Sequence, residues 1–272
     1  MSDTPSPPSQ PAISWMGRAS SNLVRCPLFF LFTALFGSIS LATSLVEEDG
    51  RRQHQIARRW ARISLWIAGA DLTVIGRENL LPLAVYTSNH TSFMDTPLVY
   101  SSLPFQFRIL AKQSLWKWPF IGWHLHRSGQ IPVDEDSGTG SIAGLNRAIR
   151  ALKSGMPLFI FPEGGRTEDG TVQAFMRGPA YIAIRSRVPL VPIALIGTYE
   201  LLPIHTHHFR PRPVKLVIGT PIDPSAYTIR QADELTNRLR TEIVRLCDRH
   251  ASPSNLPLLR FENQPEMARE DP

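Results

Sequence analysis

Leu83-Ala84-Val85-Tyr86-Thr87-Ser88-Asn89-His90-Thr91-Ser92-Phe93-Met94-Asp95 is an apolar run that ends in a polar turn, and its reading decides the fold. The first six residues suit a strand and Thr96 to Ser101 a helix. The turn between them carries a histidine, with a carboxylate five positions on. A carboxylate that accepts the N–H of one imidazole nitrogen leaves the other nitrogen free to take a proton from a hydroxyl. On one continuous helix, residues five apart lie about 140° apart and do not meet. His90 therefore has to sit in the turn, and Asp95 has to reach back from the first helical turn, with Thr91 or Ser92 as N-cap. The bland alternative is a polar turn with a hydrogen-bonded histidine.

The same alternation runs outward from this stretch. Leu72–Ile75, Ala84–Thr87, Phe107–Ala111, Gln130–Val133, Pro157–Phe161, Leu190–Leu195 and Val214–Gly219 read as strands. Two of them, Pro157–Phe161 and Leu190–Leu195, are apolar throughout, as strands buried on both faces are. Ser141–Lys153, Met176–Ser186 and Ile229–His250 read as helices, and Leu115–Leu125 holds three tryptophans around Pro119. Strands alternating with helices predict an α/β fold, a mixed sheet flanked by helices.

Ahead of this domain, residues 1–14 are rich in Pro and Ser and are expected to be disordered. Cys26 to Val46 carries no charge and has about the length of a hydrocarbon core. Its Gly, Ser and Thr content leaves a full span and a shallow or re-entrant helix both open, and a cleaved signal peptide fits less well. His54–Gly69 follows, with Ile56, Trp60, Ile63 and Ile67 at helical spacing and Arg58, Arg59 and Arg62 clustered elsewhere. Such a basic amphipathic helix, carrying Trp60 and Trp66, suits a membrane interface; an ordinary core-facing helix is the alternative. Residues 15–70 are thus expected to form a membrane-associated helical hairpin, 71–250 the catalytic domain, and 251–272 a loose tail. The arginine cluster puts the site on the cytoplasmic side, with a bacterial inner membrane the expected setting.

The net charge of +6 and pI near 9.7 could face nucleic acid or an anionic bilayer. No zinc-finger, helix-turn-helix or aromatic stacking pattern accompanies the charge, so nucleic acid is not expected. Cys26 and Cys247 form no disulfide framework, which fits a reducing compartment, with Cys26 expected in lipid and Cys247 in a buried helix. His205-Thr206-His207-His208 lacks a Cys or acidic partner, so no metal site is expected there.

A second polar turn, Phe161-Pro162-Glu163-Gly164-Gly165-Arg166-Thr167, closes another apolar run. Paired glycines let backbone approach a ligand, and the arginine offers a fork for phosphate or carboxylate. Glu163 could hydrogen-bond a polyol hydroxyl or balance Arg166. No Gly-Lys-Ser/Thr follows, so this is not a P-loop.

Together the two turns resemble the glycerolipid acyltransferase family, whose best-known members are the 1-acyl-glycerol-3-phosphate acyltransferases. Its first motif, Asn-His-x-x-x-x-Asp, is matched by Asn89-His90 and Asp95, and its third by Phe161–Thr167. Ala111–Leu115 with Pro119–Gly122 is similar to the second region, Arg177–Ala180 to the Lys/Arg-Gly that follows the third, and Val188–Ile193 to the fourth. The likeness covers roughly 72–219.

The resemblance implies transfer of a fatty acyl group from acyl-CoA or acyl carrier protein, a co-substrate with no other cofactor, to the hydroxyl of 1-acyl-glycerol 3-phosphate. The product would be phosphatidic acid, made at the bilayer. It implies His90 as base held by Asp95, and Gly164, Gly165 or Lys112 as donors to the oxyanion. Arg166, with Lys112 or Arg177, would bind phosphate, and Glu163 a glycerol oxygen. A different lysolipid acceptor, such as a lyso-ornithine lipid, and a lipid thioesterase are the alternatives. One departure stands out: Asp134-Glu135-Asp136 occupies the place where the family carries a phosphate-binding arginine. Acids there would repel a phosphate by on the order of several kcal/mol if desolvated.

Overall fold

The computed structural model describes residues 15–47, 49–118, 121–133 and 142–251. The expected disorder of 1–14, the tail beyond Ala251 and the acidic Asp134–Asp136 loop lie outside them.

In chain order the described elements begin with α1 (Trp15–Ser20), a π turn at Ser21–Arg25 and α2 (Cys26–Thr43). Then come α3 (Arg51–Ala68), β1 (Ala70–Ile75), β2 (Val85–Ser88), α4 (Asp95–Ser102), β3 (Arg108–Lys112), α5 (Ile121–Arg127) and β4 (Ile131–Val133). The chain continues through α6 (Ile142–Lys153), β5 (Leu158–Ile160), α7 (Gly178–Ser186), β6 (Leu190–Ile196), α8 (Thr198–Leu201), β7 (Arg212–Ile218) and α9 (Ala232–His250). Each expected strand is present.

The strands form one sheet in the order β1-β7-β6-β2-β5-β3-β4. Central β2 runs parallel to β6 on one side and β5 on the other, and β3 and β4 continue in parallel. The antiparallel β6–β7 pair makes the sheet mixed.

Side-chain alternation splits the sheet into two faces. Tyr86, Phe159, Val191, Ile193 and Leu195 point into a core with Ala61 and Leu65 of α3 and Leu98 and Val99 of α4. Val85, Leu158, Ile160, Leu190 and Ala194 point the other way, onto α6, α7 and α9. Three layers result, and β6 is buried along its whole length. Because β2, β5 and β3 are parallel, their carboxyl ends open on one edge at the point where the connections diverge. Open α/β sheets place ligands there.

The N-terminal hairpin departs from expectation in detail. The buried side of α3 is Gln53, His54, Ala61, Ser64, Leu65, Ile67 and Ala68, a stripe more polar than the Ile56–Trp60–Ile63–Ile67 one. Trp60 turns inward: its indole donates to Thr33 Oγ1 on α2 at 3.0 Å and its ring lies against Phe29. Trp66 alone of the two is exposed. Cys26, expected in lipid, instead packs against the core and donates to the His207 carbonyl at 2.9 Å. Cys247 is buried on α9, as expected.

Candidate active site

His90 leaves the end of β2 and sits in the turn before α4. Its Nδ1 is 2.8 Å from Asp95 Oδ2. The same oxygen accepts the N–H of Thr91 at 2.7 Å and of Ser92 at 2.8 Å. Asp95 is the first residue of α4, not a residue in mid-helix, and this is what lets it reach back over five positions. The expected N-cap is therefore corrected: Met94 holds that position without a side-chain cap, and Asp95 itself satisfies the turn's N–H groups. A fully buried oxygen that already takes two backbone donors serves as an acceptor for the ring as well. The proton shared with the ring then belongs on Nδ1, and Nε2 carries the lone pair.

The ring is fixed on its flat side by Phe161, with centroids 4.0 Å apart and planes 20° from parallel. The peptide of His90 is gripped from both ends by the second turn. Its N–H donates to Glu163 Oε1 at 2.9 Å, and its carbonyl accepts Thr167 N–H at 3.1 Å. Glu163 Oε2 accepts the Gln173 N–H at 3.3 Å. Burial pushes the Glu163 carboxyl up to about 8, against the pull of those two N–H groups. Of the two roles open to Glu163, balancing Arg166 is not met among the described residues: it clamps the histidine turn by backbone bonds.

Arg166 lies instead across Phe93, its Cζ 3.4 Å from the ring centroid. This is a cation–π contact that holds a guanidinium without neutralising it. Burial lowers its pKa and the nearby Asp95 charge works the other way. Its Nη1 is buried with no hydrogen-bond partner among the described residues. An orphaned charged donor beside a candidate base is suited to an anionic ligand.

Gly164 adopts φ +75°, and a Cβ there would meet Met176 Cε at 2.9 Å, so the turn needs glycine. Gly165 is exposed with nothing within 4 Å of a Cβ, so a side chain would fit there. Lys112 ends β3 on the same sheet edge. Arg177 stands at the N-terminus of α7, 3.8 Å from Asp233 of α9, both well exposed.

Asn89 and Phe93 were missed as site residues. Asn89 is bonded to β6, and its place before the histidine was the available signal. Phe93 gave no signal, being one apolar residue inside a polar turn.

Fold and site together define an α/β domain that presents a carboxylate-held imidazole beside an arginine without an ion pair among the described residues, at the carboxyl edge of its sheet. Residues 71–196 match the family model described as Acyltransferase. It is 33% identical over 201 residues to a chloroplastic 1-acyl-sn-glycerol-3-phosphate acyltransferase of Arabidopsis thaliana, covering 72% of this chain and 54% of the relative. A Chlamydomonas reinhardtii protein of the same description is 31% identical over 225 residues, covering 79% of this chain and 65% of that one. The chain thus spans little more than half to about two thirds of these relatives' lengths. The crystal structure of the 1-acyl-sn-glycerophosphate acyltransferase PlsC from Thermotoga maritima superposes with a TM-score of 0.66 at 26% identity, covering 83% of this chain and 97% of that one.

Proposed function

We propose that this protein transfers a fatty acyl group from a thioester, acyl-CoA or acyl carrier protein, to the free hydroxyl of 1-acyl-glycerol 3-phosphate. The product is phosphatidic acid. The observation that carries this reading is the pairing of two features at one sheet edge. His90 has its Nε2 available as a base, and Arg166 has a buried donor awaiting an anion.

In the reaction His90 Nε2 takes the proton of the acceptor hydroxyl as its oxygen attacks the thioester carbonyl carbon. Asp95 steadies the imidazolium. The C–S bond breaks as the tetrahedral intermediate collapses, and the proton on His90 passes to the departing sulfur. No acyl-enzyme forms. The developing oxyanion needs donors aimed at it. Gly164 N–H already donates to the Phe161 carbonyl at a long 3.4 Å, so of the two glycines Gly165 is the better candidate. Arg166 binds the acceptor phosphate, with Lys112 or Arg177 as second cation.

The acceptor and product are lipids, and the N-terminal hairpin brings the site to them. Trp15–Thr43 is long and apolar enough to cross a membrane, and little of it is buried against the protein. It is nevertheless fastened along the domain. Arg25 bonds the Ile67 carbonyl, Thr33 meets Trp60, and Ser40 Oγ lies 3.0 Å from His124 Nδ1. A helix tied at both ends meets lipid with its outer face, Phe30, Leu31, Leu35 and Ile39, and lies shallow with the site on the cytoplasmic side.

An acceptor panel tests the proposal: labelled acyl-CoA and acyl carrier protein with lysophosphatidate, lyso-ornithine lipid, monoacylglycerol and water. Lysophosphatidate is expected to be the preferred acceptor, and Arg166→Ala to abolish that preference. Thioester consumption independent of added acceptor would overturn it in favour of a thioesterase.

A further inference from the structure

The closing helix has no part in the chemistry described so far, yet one of its side chains reaches the loop that grips His90. Arg240 of α9 donates from Nε to the Gln173 carbonyl and from Nη2 to the Val172 carbonyl, each at 2.8 Å. The peptide between Val172 and Gln173 supplies the N–H that Glu163 Oε2 accepts at 3.3 Å. Glu163 Oε1 in turn holds the N–H of His90.

We infer that Arg240 is a positioning residue for the acyl-transfer site, fixing the 172–173 peptide so that Glu163 stays seated on the backbone of His90. The inference rests on the proposed function for its kinetic readout only.

The physical case is one of geometry. A guanidinium fork that bridges two successive carbonyls fixes both the place and the tilt of the peptide plane between them. With that plane fixed, the Gln173 N–H is aimed at Glu163. Val172 adds an apolar anchor by packing in the same cluster as Leu239 and Ile243 of α9. The rest of the loop has other anchors: Thr171 N–H and Oγ1 both bond Asp169 Oδ1, Tyr199 Oη of α8 donates to the Glu168 carbonyl, and Met176 N–H donates to the Pro162 carbonyl. The stretch that touches Glu163 is the part bonded by the Arg240 guanidinium. Without Arg240, two carbonyls lose their partners and the Gln173 N–H is free to turn away. Glu163 would then be held from one side, and the His90 turn would lose part of its grip. Arg240 touches neither reacting atom, so its effect belongs on the rate of the bound complex and not on substrate affinity.

The test is a double-mutant cycle of Arg240→Gln and Glu163→Gln, with Arg240→Lys as the conservative variant. Arg240→Gln is expected to lower kcat for acyl transfer about tenfold with KM for both substrates little changed, because small misplacement of a base is costly. Arg240→Lys should recover part of the loss. In the Glu163→Gln background, Arg240→Gln should cost less than about twofold, since two residues acting through one contact are not additive. Equal losses in both backgrounds, or full activity of Arg240→Gln, would overturn the inference. Hydrogen exchange of the unliganded protein is the second arm. Arg240→Gln should speed exchange of the His90 and Gln173 amides while α4 and β6 stay protected. Unchanged exchange at both amides would overturn the positioning role even if no acceptor in the panel is acylated, and that failure of turnover would count against the proposed function alone.

Discussion

The side-chain amide of Asn89 exchanges two hydrogen bonds with the backbone of Leu195: Nδ2 donates to the Leu195 carbonyl at 2.9 Å, and Leu195 N–H donates to Oδ1 at 2.8 Å. The amide thus extends the β2–β6 ladder by a side chain just where β2 has ended, and the histidine turn leaves the sheet from a fixed point. Asn89→Ala would strand both backbone groups of a buried strand, at a cost of about 1–3 kcal/mol each for unsatisfied groups. Urea unfolding should show a lower midpoint with an unchanged slope, and kcat should fall with it. A midpoint equal to wild type would show that water or a shifted backbone replaces the amide.

Asp95→Asn tests the imidazole's support. The asparagine can present its oxygen to Thr91 and Ser92 N–H groups, so the turn should fold. Its neutral amide cannot stabilise a charged imidazolium, and kcat should drop by about 10²–10⁴ with little change in KM. Loss of folding by circular dichroism would leave that kinetic figure without meaning, so thermal unfolding accompanies the assay. A drop below tenfold in a folded variant would remove Asp95 from the mechanism.

Phe93→Leu probes the ring beneath Arg166. The cation–π contact contributes about 0.5–2 kcal/mol, so the guanidinium should become less well placed and KM for lysophosphatidate should rise by several-fold. The KM of the thioester, which does not meet Arg166 in the proposed reaction, should move little. If both KM values rise together, Phe93 shapes the whole cleft and not the phosphate site.

How much of this was legible in the sequence depends on whether the signal was local. Apolar runs bounded by polar turns located the strands, most plainly β5 and β6, where burial along the whole strand leaves an uninterrupted apolar run. The His90–Asp95 bond was legible too, because five residues and the geometry of a helix start allow few arrangements. Side-chain bonds between distant segments leave no such pattern. Asn89 meets Leu195 106 residues away, and Arg240 meets Gln173 67 residues away. Balancing Arg166 was one of two roles open to Glu163, yet the aromatic ring that Arg166 covers lies in the other turn. The α3 helix misled because its more polar stripe, with Gln53, His54 and Ser64, is the one turned to the domain, while Trp60 serves the α2 contact.

His54 gives a pH dependence with a definite sign. Burial among Tyr100 and Phe107, helped by the charges of Arg58 and Arg108 and opposed by a bond to the Phe105 backbone, lowers its pKa to about 4. The unfolded chain protonates the ring near 6.5, so below that pH the unfolded state binds more protons. The contribution is fully present above 6.5 and is lost as pH falls towards 4, amounting to at most about 3 kcal/mol. Glu163 acts oppositely: with its carboxyl raised to about 8, stability is present below 4.5 and lost as pH rises to 8. The comparison that isolates His54 is therefore wild type against His54→Gln, measured by denaturant unfolding from pH 7 to 4. The wild type should lose more stability over that interval, and parallel curves would contradict the assignment.

The outer face of α2 yields the last prediction. Leu31 and Leu35 are one helical turn apart, 62% and 49% exposed, and lie away from the contacts that tie α2 to α3 and α5. Burying a leucine in an apolar medium contributes about 1.5–3 kcal/mol. Replacing both with glutamate removes that gain and adds charges that anionic lipid repels. Partition onto phosphatidylglycerol vesicles should weaken by at least about a hundredfold in a sedimentation assay. Because neither side chain touches the domain core, turnover of a short-chain, water-soluble acceptor should stay within about twofold, whereas turnover of vesicle-borne lysophosphatidate should collapse. Vesicle binding that survives the double substitution would move the lipid contact to another surface, and a loss of soluble turnover would mean that α2 also shapes the catalytic edge.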